Sequence, residues 1–239
     1  MKPSASSLWL TEFCTWPLRP EVHVERDVSG QAAKNGKAFH SLADQYLTGR
    51  TPEFEEGSDL EWVQARMPSW IEWLNGYVGG RYCEAEVPFI YDWKTTKTRV
   101  EAHDWVSGER NRGLTEIPCI ADLVLIGAGG SVEIVDYKSG KLLPTVADNY
   151  QMLCLGAAAA SWFGLAEVKL TLLYARVRKV RQDSVTVSVL DLANWESSLQ
   201  ERLSKAPTSE PHPGDWCWRC KVQSICPAKG GWGNEIPFG

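Results

Sequence analysis

The sequence predicts an α/β fold with a mixed central β-sheet flanked by helices, and two features support this prediction. Residues 31–48 have the side-chain pattern of a helix, and residues 119–139 have the pattern of a β-hairpin. Helical and extended segments then follow each other along the chain, which is typical of a sheet covered by helices. The chain has 239 residues, of which 44% are hydrophobic, and this is enough to bury the core of one domain.

Three helices are predicted in the N-terminal third of the chain. The first is short and is capped by Ser4 or Ser6. The second covers residues 31–48, and the third covers residues 58–76 with a kink at Pro68. Tryptophans at helical spacing on the third helix are expected to belong to the core. The second helix places three residues on one face: Gly36, His40 and Asp44.

Strands and helices alternate in the rest of the chain. Strands are expected at residues 82–91, 119–139 (the hairpin), 167–177 and 183–190, and helices at residues 146–163 and 194–206. We expect one domain over residues 1–239, with a core of about residues 31–206 and a second lobe built from residues 1–30 and 207–239.

The hairpin is predicted to place two carboxylates side by side. A glycine-rich turn centred on Gly129 pairs residues whose numbers sum to 258, so Asp122 lies opposite Asp136. Lys138 lies on the same face of the strand as Asp136. Neighbouring carboxylates repel each other unless a cation separates them, and Mg²⁺ or Mn²⁺ prefers such oxygen ligands. The alternative is an ordinary hairpin with a solvated polar face, since Asp-x-Lys is a common pattern.

The hairpin resembles the core motif of RecB-type nucleases of the PD-(D/E)XK superfamily. The matching segments are Ala121-Asp122-Leu-Val and Ile134-Val-Asp136-Tyr-Lys138-Ser-Gly140. That family also carries a helical His, often as Gly-x-x-x-His, and this chain has Gly36-Lys-Ala-Phe-His40. The family's Gln on the helix after the Lys strand is matched by Gln151. Cys119 and Leu155 stand where the family usually has Gly and Tyr.

The resemblance implies a restriction-endonuclease-like core and a set of site residues. Mg²⁺ or Mn²⁺ would be held by His40, Asp122, Asp136 and the carbonyl of Tyr137. Lys138 would activate or position the attacking water, and Gln151 would contact the DNA backbone or support the site. Glu86, on the strand before the hairpin, either contributes to the metal site or forms a surface ion pair.

The cysteines extend the resemblance to a subset of the family. CRISPR-associated RecB-like exonucleases and the nuclease domain of the AddB helicase partner have one N-terminal and three C-terminal cysteines that bind a 4Fe-4S cluster. The matching residues are Cys14, Cys217, Cys220 and Cys226. The resemblance implies that such a cluster joins the two ends of the chain. Zinc is the alternative, with His23, His103 or His212 in place of Cys14.

Charge and hydropathy limit the possible partners. The net charge is −5, which does not favour nonspecific affinity for nucleic acid, but basic residues cluster locally at residues 94–99 and 176–181. No apolar run reaches the roughly 18 residues of a membrane span, and the first residues lack the apolar centre of a signal peptide. We therefore expect a cytoplasmic protein without a membrane partner.

The expected function is that of a metal-dependent DNA exonuclease acting on the ends of linear DNA. The resemblance places this activity in repair, recombination, phage replication or CRISPR adaptation, with a helicase, recombination or CRISPR adaptation protein as partner. Two alternatives remain open: a DNA endonuclease with a zinc-stapled tail, and a non-catalytic DNA-binding or scaffold module of the same fold.

Overall fold

A computed structural model of the chain describes residues 4–19, 22, 31–54, 56–101, 113, 115–140, 144–175, 180–220 and 222–228. Its centre is a six-stranded sheet in the order β2-β1-β3-β4-β5-β6. The strands are β1 (Tyr82–Asp92), β2 (Lys97–Val100), β3 (Glu116–Ile126), β4 (Val132–Lys138), β5 (Glu167–Tyr174) and β6 (Arg181–Ser188). Among the described strands, only β4 and β5 are parallel neighbours, so the sheet is mixed, as the sequence predicted.

Helices cover both faces of the sheet. They are α1 (Gln31–Thr48), α2 (Leu60–Gln64), α3 (Met67–Val78), α4 (Tyr150–Phe163) and α5 (Val189–Lys205). The first three pack on one face, around Phe39, Trp70 and Leu123. The other face carries α4, α5 and an N-terminal 3₁₀-helix, Ala5–Glu12, around Phe89 and Ile134. The helix at residues 31–48 and the sheet flanked by helices are confirmed.

Some predicted boundaries were wrong, for local reasons. The expected helix at 58–76 is two helices, α2 and α3, and Pro68 lies in the first turn of α3, where its missing N–H costs nothing. Helix α4 begins four residues later than predicted, because the Asn149 side chain caps the N–H groups of Gln151 and Met152. Strand β2 was not predicted at all.

In strands β1 and β3, the alternation of side chains between the two faces of the sheet changes at the same place, between Ala85 and Val87 and between Ala121 and Leu123. On one side, Val87 and Ala121 contact the core under α4. On the other side, Leu123 and its partner Ala85 contact the core under α1. The register of the two strands is the same on both sides of the change, but the pairing skips Glu86 and Asp122, and Glu86 has a φ of +52°. Because the regular alternation stops here, the two polar residues between these pairs, Glu86 and Asp122, belong to neither core.

No helix in the described part of the chain is long and apolar enough to cross a membrane.

Candidate active site

The candidate site lies where β3 and β4 separate. Their pairing runs from Ile126–Val132 to Leu123–Val135, and every pair sums to 258, so the predicted register is confirmed. The turn is also as predicted, with Gly129 at a φ of +79°. Beyond Leu123 the ladder stops, and the Asp122 Oδ2 atom instead accepts a hydrogen bond from the Tyr137 N–H at 2.5 Å. Asp122 and Asp136 are thus the first residues past the paired segment.

His40 joins helix α1 to both strands. Its Nδ1 atom lies 3.0 Å from the Asp122 Oδ1 atom, and its Nε2 atom lies 3.0 Å from the Tyr137 carbonyl oxygen. The Phe39 and Trp70 rings are buried beneath it, and Trp70 packs edge-on against the Tyr137 ring at 4.8 Å. The helical His of the sequence motif is therefore directed at the two strands that carry the other predicted residues.

Glycine at position 36 allows helix α1 to approach β4 closely. A Cβ atom at Gly36 would lie 3.2 Å from the Ser139 Oγ atom, a separation tighter than ordinary van der Waals contact. Ser139 directly follows β4. His40 lies one turn further along the helix, so its distance to the Tyr137 carbonyl depends on this close approach.

The carboxylates of the group raise the pKa of His40. Burial disfavours the charged imidazole, but the charge and hydrogen bond of Asp122, with the charges of Asp136 and Glu86, outweigh burial and raise the pKa of His40 to about 9. Burial also raises the pKa of the Asp122 carboxyl, and the charge of Asp136 acts in the same direction. His40 is therefore protonated at neutral pH and supplies positive charge to several neighbouring carboxylates.

Asp136, Lys138 and Gln151 form a second group on the α4 side of the sheet. The Lys138 Nζ atom lies 2.6 Å from Asp136 Oδ2 and donates to Gln151 Oε1 at 3.1 Å. Gln151 donates to Asp136 Oδ1 at 2.6 Å. Asp136 is 2% exposed, so its carboxylate is buried and held from both sides. The three residues that the sequence placed on two different elements are thus in direct contact.

Glu86 is the site residue to which the sequence assigned no definite role. One ligand atom from each of His40, Glu86 and Asp122 lies within 4.8 Å of the other two, whereas the Asp136 carboxylate contacts Lys138 and Gln151 instead. Carboxylate oxygens and an imidazole nitrogen are ligands that divalent cations accept. Glu86 is brought into the group by the pairing of β1 with β3, which are far apart in sequence, and no local pattern indicates this.

Three of the four predicted cluster cysteines pack around one small core. Cys14, Cys220 and Cys226 pack against a small core of Trp16, Val22 and Val222. Burial raises the pKa of the Cys217 thiol, and the nearby thiols of Cys14 and Cys226 act in the same direction. All seven cysteines of the chain are free thiols, and Cys119 and Cys154 are buried in the core under α4.

The histidines proposed as zinc ligands differ in what the structure shows. The His212 backbone N–H contacts the Cys14 Sγ atom at 3.5 Å, while its ring Nδ1 atom lies 3.1 Å from the Phe13 carbonyl oxygen. His23 and His103 lie outside the described residues.

The two basic clusters are only partly described. Residues 176–179 lie outside the described part of the chain. In the other cluster, Arg99 forms ion pairs with Glu101 at 2.8 Å and with Glu116 at 2.6 Å, so its charge is compensated within the protein. Lys94 and Lys97 are exposed.

Comparisons with known proteins indicate a family for the chain. Residues 4–227 match the family described as the PD-(D/E)XK nuclease superfamily. Two solved structures align with most of the chain. One is the crystal structure of SSO0001, with 17% identity, a TM-score of 0.40 and coverage of 87% of this chain and 89% of that chain.

The other is an alkaline exonuclease, LHK-Exo, from Laribacter hongkongensis, with 13% identity, a TM-score of 0.39 and coverage of 86% of this chain and 87% of that chain. A comparison with curated proteins found no match.

Proposed function

This chain belongs to the PD-(D/E)XK nuclease superfamily, and from that membership and the site geometry we propose that it is a Mg²⁺- or Mn²⁺-dependent DNA exonuclease of the RecB-like type. The observation that carries the proposal is the convergence of His40, Asp122 and the Tyr137 carbonyl at the point where β3 and β4 separate. Asp136 and Lys138 lie immediately beside that point.

The proposed metal ligands are His40, Asp122, Asp136 and the Tyr137 carbonyl, with Glu86 near enough to join them. When bound, a divalent cation polarises a phosphate oxygen and lowers the pKa of its water. The residues fit such a cation because three acids here share the charges of His40 and Lys138, and because the donor set is mostly oxygen. His40 must lose its proton to offer a lone pair to a metal.

Lys138 is proposed to act on the substrate, with Gln151 holding it in place. Lys138 is 22% exposed on its side chain, and its ammonium group is held at the Asp136 carboxylate by Gln151. An ammonium group in this place can orient the attacking water or offset the negative charge that develops on the phosphate. Gln151 is then a positioning residue that fixes both Asp136 and Lys138 through its amide.

We further propose that Cys14, Cys217, Cys220 and Cys226 hold a 4Fe-4S cluster that joins the chain ends. The position of Cys14, Cys220 and Cys226 beside Trp16 and Val222 supports this, as does the closeness of the Cys217 thiol to those of Cys14 and Cys226, and zinc is the alternative. Protein purified without oxygen should show an absorbance band near roughly 400 nm if iron and sulfur are bound. A colourless protein containing one zinc per chain would replace the iron–sulfur proposal.

The proposed role is DNA end processing, in repair, recombination, phage replication or CRISPR adaptation, with a helicase, recombination or CRISPR adaptation protein as a partner. The other candidates of the same fold are an endonuclease with a zinc-stapled tail and a non-catalytic DNA-binding module. Intact Asp122, Asp136 and Lys138 favour catalysis over the binding module.

Degradation of end-labelled linear DNA and closed circular DNA with Mg²⁺ or Mn²⁺ tests the proposal. Wild type should degrade only linear DNA, and Lys138→Ala should abolish this. Lys205→Ala is the matched control, because Lys205 forms an exposed ion pair with Glu201 away from the site. Cleavage of circles would indicate an endonuclease, and inactivity with either metal in folded protein would favour the binding module.

A further inference from the structure

A groove adjoins the candidate site on the side of strand β1. It has a volume of about 400 Å³ and is lined by the end of α1, by residues 83–88 of β1 and by Val100 of β2. Glu86 belongs both to this groove and to the group of His40, Glu86 and Asp122. The groove therefore opens directly beside the place where chemistry is proposed.

Arg50 is the one cationic side chain among the described residues that line the groove. Its Nη2 atom lies 2.5 Å from the Asp44 Oδ1 atom, and its Nε atom donates to the Thr48 Oγ1 atom at 3.1 Å. The Arg50 side chain is still 47% exposed, whereas that of Asp44 is 14% exposed. One edge of the guanidinium is thus fixed by the protein, and the group keeps donors for a ligand.

Helix α1 places this arginine in line with the candidate site. Gly36, His40 and Asp44 follow each other one turn apart on the same face of the helix. His40 contacts Asp122 on β3, and Asp44 holds Arg50 near the Ala85 carbonyl of β1, at 3.4 Å. The Arg50 guanidinium therefore lies about one helical turn beyond His40, on the β1 side of the candidate site.

The size and the charges of the groove limit what it can hold. A volume of about 400 Å³ is near the lower end for ligand pockets, which suits a nucleotide-sized group and not a double helix. The other charged lining residues are Glu84, which accepts a hydrogen bond from the Tyr82 hydroxyl, and Glu86, which lies at the proposed metal group. An anion in the groove would therefore contact Arg50, at the wall formed by α1.

We propose that this groove binds a nucleotide of a single DNA strand next to the bond that is cut, with Arg50 contacting its phosphate. The inference rests on the proposed nuclease function for its substrate. A guanidinium fork matches the geometry of a phosphate, and an arginine already fixed by Asp44 and Thr48 loses little further freedom when it binds one. Arg50 is a binding residue that distinguishes a single strand from a duplex.

The test is the affinity for a fluorescent single-stranded oligonucleotide and for a hairpin duplex, with Ca²⁺ present, at several salt concentrations. Arg50→Ala should weaken single-strand binding by about tenfold and reduce the slope of log K against log salt by about 0.7. Arg50→Lys should keep the salt slope and lose less affinity. Arg66→Ala removes the same charge from an arginine stacked on Trp62, and it should change neither the affinity nor the salt slope.

Kinetics separate this inference from the proposed function. If wild type cleaves DNA, Arg50→Ala should raise KM for a single strand with little change in kcat. Unchanged affinity, salt slope and KM in folded Arg50→Ala would contradict the proposal that the groove binds a single strand. An equal loss of affinity for the duplex would contradict it as well. If wild type cleaves nothing, the nuclease proposal fails, but the binding ratios still decide whether Arg50 contacts a single strand.

Melting temperatures guard against a merely structural effect of the arginine. Asp44→Asn leaves the positive charge in place and releases its clamp, so it should weaken single-strand binding less than Arg50→Ala does. A loss of affinity in both variants that follows their loss of thermal stability, and is equal for both DNA forms, would assign Arg50 to the fold and contradict the proposal.

Discussion

Two buried carboxylates on strand β4, Glu133 and Asp136, lie three residues apart and have different electrostatic surroundings. Donors surround Glu133, whereas other carboxylates lie near Asp136. Glu133 is 4% exposed and is surrounded by donors: Arg81 at 2.6 Å, Lys169 at 3.1 Å, Thr171 at 2.5 Å and the Tyr77 hydroxyl. Burial acts to raise its pKa, but these hydrogen bonds outweigh burial and lower the pKa below the usual value.

Asp136 has a different environment. One ammonium group, that of Lys138, and the Gln151 amide lie at its carboxylate, while Asp122 and Glu86 bring further negative charge to the same region. A buried acid whose charge is fully balanced by fixed donors serves the fold. Buried acids that approach each other are stable only with more positive charge, which a metal ion supplies. The surroundings of the two carboxylates, and not their burial, distinguish their roles.

The largest expected effect comes from Asp136→Asn. Cleavage should fall by about a thousandfold or more, since metal stabilisation is worth several kcal/mol and each ~1.4 kcal/mol is a factor of ten. The melting temperature of the metal-free protein should hardly change, because relief of repulsion with Asp122 offsets the lost ion pair with Lys138. Single-turnover cleavage and thermal unfolding measure the two effects. A variant with a lower melting temperature that cleaves normally when folded would assign Asp136 to stability and not to catalysis.

Glu133→Gln should do the opposite. It leaves Arg81 and Lys169 without their carboxylate, so the free energy of unfolding should fall by about 2 kcal/mol. This lies below the range for a fully buried pair, because the Arg81 and Lys169 side chains are 29% and 40% exposed and can be rehydrated. Urea unfolding gives the loss, and cleavage per folded molecule should be unchanged. A loss of cleavage without a loss of stability would contradict the assignment.

The pH dependence of metal binding should separate the two regions further. His40 has a pKa of about 9 without metal, so below that pH a metal must displace its proton. Metal affinity should therefore rise with pH from 6.5 to 9, by up to about tenfold per unit, and level off above it. Calorimetry in buffers of different ionisation enthalpy should detect about one proton released per metal at pH 7.5. No proton release would show that His40 is not a ligand.

The smallest effect is expected from Gly36→Ala. Its new Cβ atom meets the Ser139 Oγ atom and should move His40 slightly, so that metal affinity falls severalfold while the fold persists. Adding Ser139→Ala removes that contact and should restore the affinity. Gly76→Ala in α3 is the control, because nothing lies within 4 Å of its Cβ atom. Alanine there should stabilise the helix by up to about 1 kcal/mol. Equal effects of the two alanines on metal affinity would show that the close approach of α1 to β4 does not position His40.

Local patterns predicted the parts of the site that depend on local geometry. The turn around Gly129 determines the register of the hairpin, and this register is confirmed as far as the Leu123–Val135 pair. The ladder stops before the predicted pair of Asp122 with Asp136, and Asp122 accepts the Tyr137 N–H instead. The Gly36–His40 spacing is a property of a single helix, so one face could be assigned from sequence. The mixed sheet flanked by helices followed from the order of helical and extended segments.

The rest depends on contacts between distant segments. Glu86 reaches the site only through the pairing of β1 with β3, and its positive φ has no sequence signal, because glycine is the residue normally expected there. The clamp on Arg50 depends on how the chain turns after α1. The balanced environment of Glu133 likewise requires α3 and β5 beside β4. From sequence alone, Glu133 and Asp136 are two acids on one strand.

Binding of Mn²⁺ to metal-free wild type, Asp136→Asn and Glu133→Gln, measured by calorimetry at pH 8, tests the central claim most directly. Wild type and Glu133→Gln should bind with the same affinity, and Asp136→Asn should bind at least about tenfold more weakly. Equal binding by all three proteins, or a loss confined to Glu133→Gln, would contradict the assignment of the metal to the site at the end of the β3–β4 ladder.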